Sequence, residues 1–159
     1  MIVRDILEQL AYSELANSAL GGDDDQPITS PEKYRQIIPA INSALGALYS
    51  RFELGFGNIL LEQVGHIGTY YLKAKFAESS ESSEEFKYLK DSLSRPFLED
   101  VIRIDRIIDS CSEPVYINNE TFCSSVFLPT FDSIEFPTVE DGAVFNVIYQ
   151  ASHKKLDIE

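Results

Sequence analysis

The chain has 159 residues, 44% of them hydrophobic, with 26 acidic against 13 basic side chains and a formal net charge of −13. That length and apolar content suit one domain with a core of its own and argue against a disordered chain. The charge argues against conventional nucleic-acid binding, in which Lys and Arg displace counterions from phosphates, and against anionic membrane surfaces.

Val3, Ile6, Leu7 and Leu10 recur at helical spacing, and Leu15, Ala16 and Ala19 extend the pattern, so a helix is expected over Val3 to Leu20. Gly21-Gly22 stops it, and Asp23-Asp24-Asp25-Gln26-Pro27 follows as an exposed loop. The N-terminus lacks the basic and then purely apolar order of a signal peptide. No segment approaches the roughly eighteen unbroken apolar residues of a membrane span. The chain is therefore expected to be made in a cytoplasm, with no membrane partner.

The next segment carries the clearest pattern. Ser30 suits a cap, Pro31 the first helical position and Glu32 the positive end of the dipole. Tyr34, Ile37, Ile38, Ile41, Leu45, Leu48, Tyr49 and Phe52 then fall on one stripe. Pro39 removes one backbone bond, so a kink or a non-helical start before Ala40 is expected.

After Gly55 and Gly57 the spacing changes to that of strands. Asn58 to Val64 and Ile67 to Leu72 read as strands around a Gly65-His66-Ile67-Gly68 turn. Glu78 to Glu85, all Ser and Glu, reads as a mobile surface insertion. Asp100 to Ile108 fits a strand on its β-branched content, although Val101, Ile104 and Ile108 also fit one side of a helix. Val115 to Ile117, Ser124 to Leu128 and Ile134 to Phe136 read as short strands. Ala143 to Ala151, apolar on both faces, reads as a central one. The expected fold class is α+β in a single domain over 1–159. An N-terminal helical hairpin or bundle (1–54) precedes a small antiparallel β-sandwich or barrel (55–159).

No pattern of reactive chemistry emerges. The phosphate-binding glycine loops and the Gly-x-Ser-x-Gly elbow are absent from the sequence. His66 and His153 are isolated and read as structural. Cys111 and Cys123 form no zinc or redox motif and read as part-buried thiols in a reducing compartment. The Asp23 to Asp25 run lacks the alternating acids and glycine of a calcium loop. Nothing singles out a pair of acids for glycoside hydrolysis. No catalytic residue, cofactor or metal is expected. The chain is read as one that works by assembling with other proteins.

Four stretches carry a family resemblance. They are Val3-Arg4-Asp5-Ile6-Leu7; Ile41-Asn42-Ser43-Ala44-Leu45 leading to Leu48-Tyr49-Ser50-Arg51-Phe52; Asp91-Ser92 followed by Arg95 to Ile104; and Val147-Ile148-Tyr149-Gln150-Ala151 running on to Leu156. In their order and pattern the chain resembles the head-to-tail adaptor proteins of short-tailed bacteriophages, the group that includes tail tubular protein A. Members of that family usually continue beyond the final Tyr-containing strand into more helix, whereas this sequence stops at Glu159.

The resemblance implies a structural virion protein of the neck and tail. It would be a homo-oligomeric ring, usually dodecameric, docked between the portal protein and the tail nozzle protein. Genomic DNA would pass through its channel without sequence-specific binding, and acidic walls would repel the sliding phosphates. Ring contacts are expected from Ile37, Ile41, Leu45, Leu48 and Phe52 on the helix, and from Tyr149. The alternative is a small acidic protein-binding module without catalytic activity, recognising its partner through a β edge.

Overall fold

The computed structural model describes residues 31–156, with side-chain environments from residue 38 onward. The expected Val3 to Leu20 helix and the Asp23 to Asp25 loop lie outside these residues. Contacts divide the chain into two units. One contains the helix as far as Leu48 together with the stretch from Lys154; the other is Tyr49–His153.

Helix α1 spans Pro31–Arg51, starting on the proline whose missing N–H costs nothing at a first helical position. It runs through Pro39 without interruption, so the non-helical start expected before Ala40 is not formed. Within the first unit, Asn42 clasps the backbone of Leu156. Its Nδ2 donates to the Leu156 carbonyl at 3.0 Å, and its Oδ1 accepts from the Leu156 N–H at 2.9 Å.

The second unit is built from seven strands: β1 Phe56–Glu62, β2 Thr69–Tyr71, β3 Leu89–Lys90, β4 Val101–Ile108, β5 Pro114–Val115, β6 Ser133–Glu135 and β7 Val144–Ala151. Five form one antiparallel sheet in the order β3-β1-β7-β4-β5, and β2 pairs with β6 in a second. Leu61, Tyr70, Ile107, Ile134 and Val147, from both sheets, are fully buried in one core. Each such aliphatic side chain stabilises the fold by about 1.5–3 kcal/mol through burial.

The core also holds two tyrosines whose hydroxyls are satisfied locally. Tyr70 Oη accepts from the Val64 N–H at 2.8 Å and donates to its carbonyl at 3.2 Å. Tyr88 Oη does the same with Tyr71, at 3.0 and 3.1 Å. Their rings meet edge to face, 5.0 Å between centroids. Burial pushes both phenols above their usual range.

The expected fold class is corrected here. Among the described residues there is one α-helix, no helical hairpin, and a fold that is mainly sheet. Helical spacing shows that a segment has an apolar stripe; it does not say whether another helix covers that stripe. Strand β4 explains its own ambiguous spacing. Register shifts fall between Val101 and Arg103 and between Ile104 and Arg106. Each extra residue delays the return to the inner face, so Val101, Ile104 and Ile107 point inward at an interval of three.

The Glu78 to Glu85 run, expected as a mobile insertion, is tied to its neighbours. Ser79 binds Asp91, Glu84 pairs with Lys75 at 2.7 Å, and Lys87 donates to the Ser80 carbonyl.

Candidate protein-binding groove

In an antiparallel strand the main-chain groups face one neighbour and then the other at alternate residues. Gly55 accepts from Ala151 at 2.9 Å and Gln63 donates to Ala143 at 2.7 Å, so the odd positions along β1 face β7. Glu62 donates to Tyr88 at 2.9 Å, so the even positions face the β3 side. Strand β3 is opposite only Leu60 and Leu61. The even positions Phe56 and Asn58 therefore turn N–H and C=O groups towards a side with no strand opposite among the described residues.

The place is open because the chain leaves it at Asp91. That carboxylate accepts from the Ser79 N–H at 2.8 Å, from the Ser79 hydroxyl at 2.5 Å and from the Phe97 N–H at 2.8 Å. Burial alone would raise its pKa, but these hydrogen bonds outweigh burial and hold it below the usual carboxylate value. Ser92 to Arg95 forms a tight turn, with Arg95 N–H to Ser92 O at 2.9 Å. The chain then returns as the wall of a groove of about 390 Å³ that runs along β1 from Phe56 to Leu60.

That wall is pinned along its length. Phe97 is held by Asp91, and the Glu99 carboxylate accepts from the Ala74 N–H at 3.0 Å and pairs with Lys73 at 3.0 Å. The Asp100 carbonyl accepts from Ser152 at 2.7 Å, and its carboxylate accepts from the Tyr149 hydroxyl at 3.2 Å. Lys73 also pairs with Asp132 at 2.8 Å, and Asp132 accepts from the Thr130 hydroxyl at 2.7 Å. Asp132, and then Glu99, raise the Lys73 pKa. Glu99 sits at φ 55°, a left-handed conformation that its hydrogen bonds offset.

The floor is formed by Gly57 and Tyr149. The Tyr149 ring lies where a side chain at 57 would be, and burial with the adjacent Asp100 pushes its phenol above the usual range. Of the charged groups on the lining, Lys90 pairs with Glu62 and Glu78, while Asp91 and Asp100 accept the bonds above. Arg95 is exposed, and its guanidinium meets no acceptor among the described residues.

A second hollow, of about 380 Å³, lies beside β5 and is partly lined by Gln63. Gln63 Oε1 accepts from the Glu140 N–H at 2.8 Å, which fixes the amide orientation and leaves Nε2 without a partner. No group of His, Cys, Asp or Glu among the described residues is arranged to hold a metal ion. His66 packs edge-on against Phe86 at 4.6 Å, and His153 lies 5.7 Å from Tyr49. Cys111 and Cys123 are both free and exposed, which corrects the expectation of part-buried thiols.

The residues expected at ring contacts are placed unevenly. Leu48 and Phe52 are exposed, Ile41 and Leu45 are half-buried, and Ile37 lies on α1 with its side chain outside the described set. Tyr149 is a core residue, 5% exposed, so it serves the groove as its floor and not as a projecting contact. Sequence reasoning missed the groove itself. The one signal was the run Phe56-Gly57-Asn58-Ile59-Leu60, a strand with no charge, proline or bulge to guard an edge.

No protein-family model matches the chain, and no curated protein aligns with it significantly.

Proposed function

We propose that this chain is a structural adaptor that works by assembling with other protein chains. In its specific form it is a head-to-tail connector, a ring between portal and tail nozzle through which DNA passes. The resemblance carried by Ile41 to Phe52, Asp91 to Ile104 and Val147 to Leu156 supports the specific form. The general form is supported by one structural observation. A well-packed unit leaves Phe56 55%, Leu98 60% and Leu93 87% exposed around an open strand edge, and exposed apolar patches beside unpaired edges mark interaction surfaces. Native mass spectrometry and cryo-electron microscopy with purified portal protein test the proposal. The expected result is a closed ring bound to portal; a chain that stays monomeric and never binds portal sinks it.

The second reading is a small acidic protein-binding module that acts as a monomer. The groove along β1 favours it, because such a groove takes a partner segment without any ring. A monomer with a defined partner outside any virion separates the two readings.

A further inference from the structure

We infer that the groove along β1 binds an extended segment of another protein chain as an added β-strand, with a carboxylate of that segment opposite Arg95. The inference rests on the assembly reading only in that the occupant is protein. Three observations on the molecule select this occupant.

First, the groove offers strand-pairing groups. Phe56 and Asn58 present two N–H donors and two C=O acceptors in register with the Leu60–Lys90 and Glu62–Tyr88 pairs. An antiparallel segment entering here takes the course β3 would have followed without the turn at Asp91. Main-chain pairing of this kind supplies affinity, and side-chain pockets at alternate positions supply selectivity. Phe56 and Leu60 stand exposed along the strand, and Pro96 and Leu98 line the facing wall, so alternate apolar side chains fit.

Second, the edge is recessed. The Arg95 to Asp100 wall rises beside it, held by Asp91, Lys73, Ser152 and Tyr149. A single extended segment enters such a groove; the edge of a second folded sheet meets the wall. The other open edge of the sheet, along Val101 to Arg106, is guarded by two register shifts and by exposed Arg103, Asp105 and Arg106. A pre-anchored wall also removes the ordering cost that a mobile loop adds on binding.

Third, Arg95 selects the sign of the side chain placed opposite it. Lys90 pairs with two carboxylates and Asp91 and Asp100 accept hydrogen bonds within the chain, whereas Arg95 has no acceptor among the described residues. An acidic side chain satisfies it and a basic one is repelled.

The test uses the full chain, labelled for amide nuclear magnetic resonance, and three blocked hexapeptides. One alternates valine with glutamate, one alternates valine with lysine, and one is the glutamate peptide with alternate amides N-methylated. The expected result is saturable shifts centred on the Phe56 and Asn58 amides with the glutamate peptide, and none with the methylated one. Affinity for the glutamate peptide is expected to exceed that for the lysine peptide by about threefold, the scale of an exposed ion pair. Arg95→Glu reverses that preference.

Asn58→Pro removes an N–H that faces the groove and leaves the odd-numbered β1–β7 ladder intact, so it abolishes binding in a folded chain. Unchanged resonances of Leu61 and Val147 report folding; if the variant unfolds, the methylated peptide makes the same cut from the other side. Absence of shifts at Phe56 and Asn58 with the glutamate peptide overturns the inference. Protection of those amides by concentration-dependent self-association alone does so too. A ring that forms on portal with both amides unprotected overturns the inference and leaves the adaptor proposal standing; peptide binding by a chain that never rings does the reverse.

Discussion

Tyr149 lies across Gly57 on the paired strand, so closely that a Cβ added at residue 57 would stand 2.4 Å from the ring carbon Cζ. Gly57 is thus the absence that seats a large side chain. The ring reaches on to Asp100, its hydroxyl donating at 3.2 Å, and packs edge to face with Phe97 at 6.0 Å. One strand pair therefore places the floor and anchors the wall of the groove.

Gly57→Ala is expected to displace the Tyr149 ring, with a loss of about 1–3 kcal/mol from overpacking. Tyr149→Phe keeps the packing and loses one hydrogen bond to a charged group, about 1.5–3 kcal/mol. Urea midpoints measure both. If Gly57→Ala leaves the midpoint and the Tyr149 resonances unmoved, Gly57 does not seat the Tyr149 ring.

Gln150 ends α1 from across the sheet. Its Nε2 donates to the Tyr49 carbonyl and to the Phe52 carbonyl at 3.3 Å, at the helix end where carbonyls lack intrahelical donors. The side chain is 2% exposed, so Gln150→Leu removes a buried donor from the Tyr49 carbonyl and leaves the Phe52 carbonyl with the Leu54 N–H at 2.8 Å. The expected cost is about 1–3 kcal/mol. Faster amide exchange near residues 49–52 with slow exchange retained at Leu61 is the signature; uniform acceleration would point to global unfolding instead.

Asp91 is expected to control the groove more than the core. Asp91→Ala removes the acceptor of three hydrogen bonds and frees both Ser79 and the Phe97 N–H. A loss of about 2–4 kcal/mol is expected, since bonds to a charged acceptor are worth more than neutral ones. Cleavage by a protease between residues 92 and 98 should appear in the variant and not in the parent.

Acid should weaken the fold through the same groups. Asp91, Glu99 and Asp132 all sit below their ordinary values of 3.8, 4.5 and 3.8. Burial raises each, hydrogen bonds lower each further, and the Lys73 charge also lowers Glu99 and Asp132. A carboxyl whose pKa is depressed on folding stabilises the native state above the ordinary value. That contribution is lost as pH falls through the folded value. Urea midpoints should therefore drop below about pH 4. The Asp91→Asn variant, compared with the parent at each pH, should show a shallower drop, and an equal drop in the two would exclude Asp91 as a contributor.

The strands of the second unit were legible to different degrees. Ala143 to Ala151 reads as apolar on both faces, and β7 is indeed flanked on both sides, with Val147 and Tyr149 buried. Leu89–Lys90 carried no signal, because a two-residue strand has no period to detect. Val101, Ile104 and Ile108 carried the helix-like reading of β4, but the register shifts turn Val101, Ile104 and Ile107 inward, which no single-strand pattern reveals. Tyr149 looked like a contact residue because a tyrosine in a terminal apolar run does not declare which face it occupies. Its partner, Gly57, is 92 positions away.

The sequence by itself determined that the chain folds, that Pro31 onward is helical, that its later part is strand-rich and that its surface is acidic. Those properties follow from composition and from local periodicity, which each segment carries alone. Tertiary structure decided which edge stays open. It took the length of β3, the carboxylate of Asp91 turning the chain outward, and a glycine opposite a tyrosine to leave Phe56 and Asn58 facing a groove. Each of those is a relation between distant residues, fixed by pairing register and packing and invisible to any window along the chain.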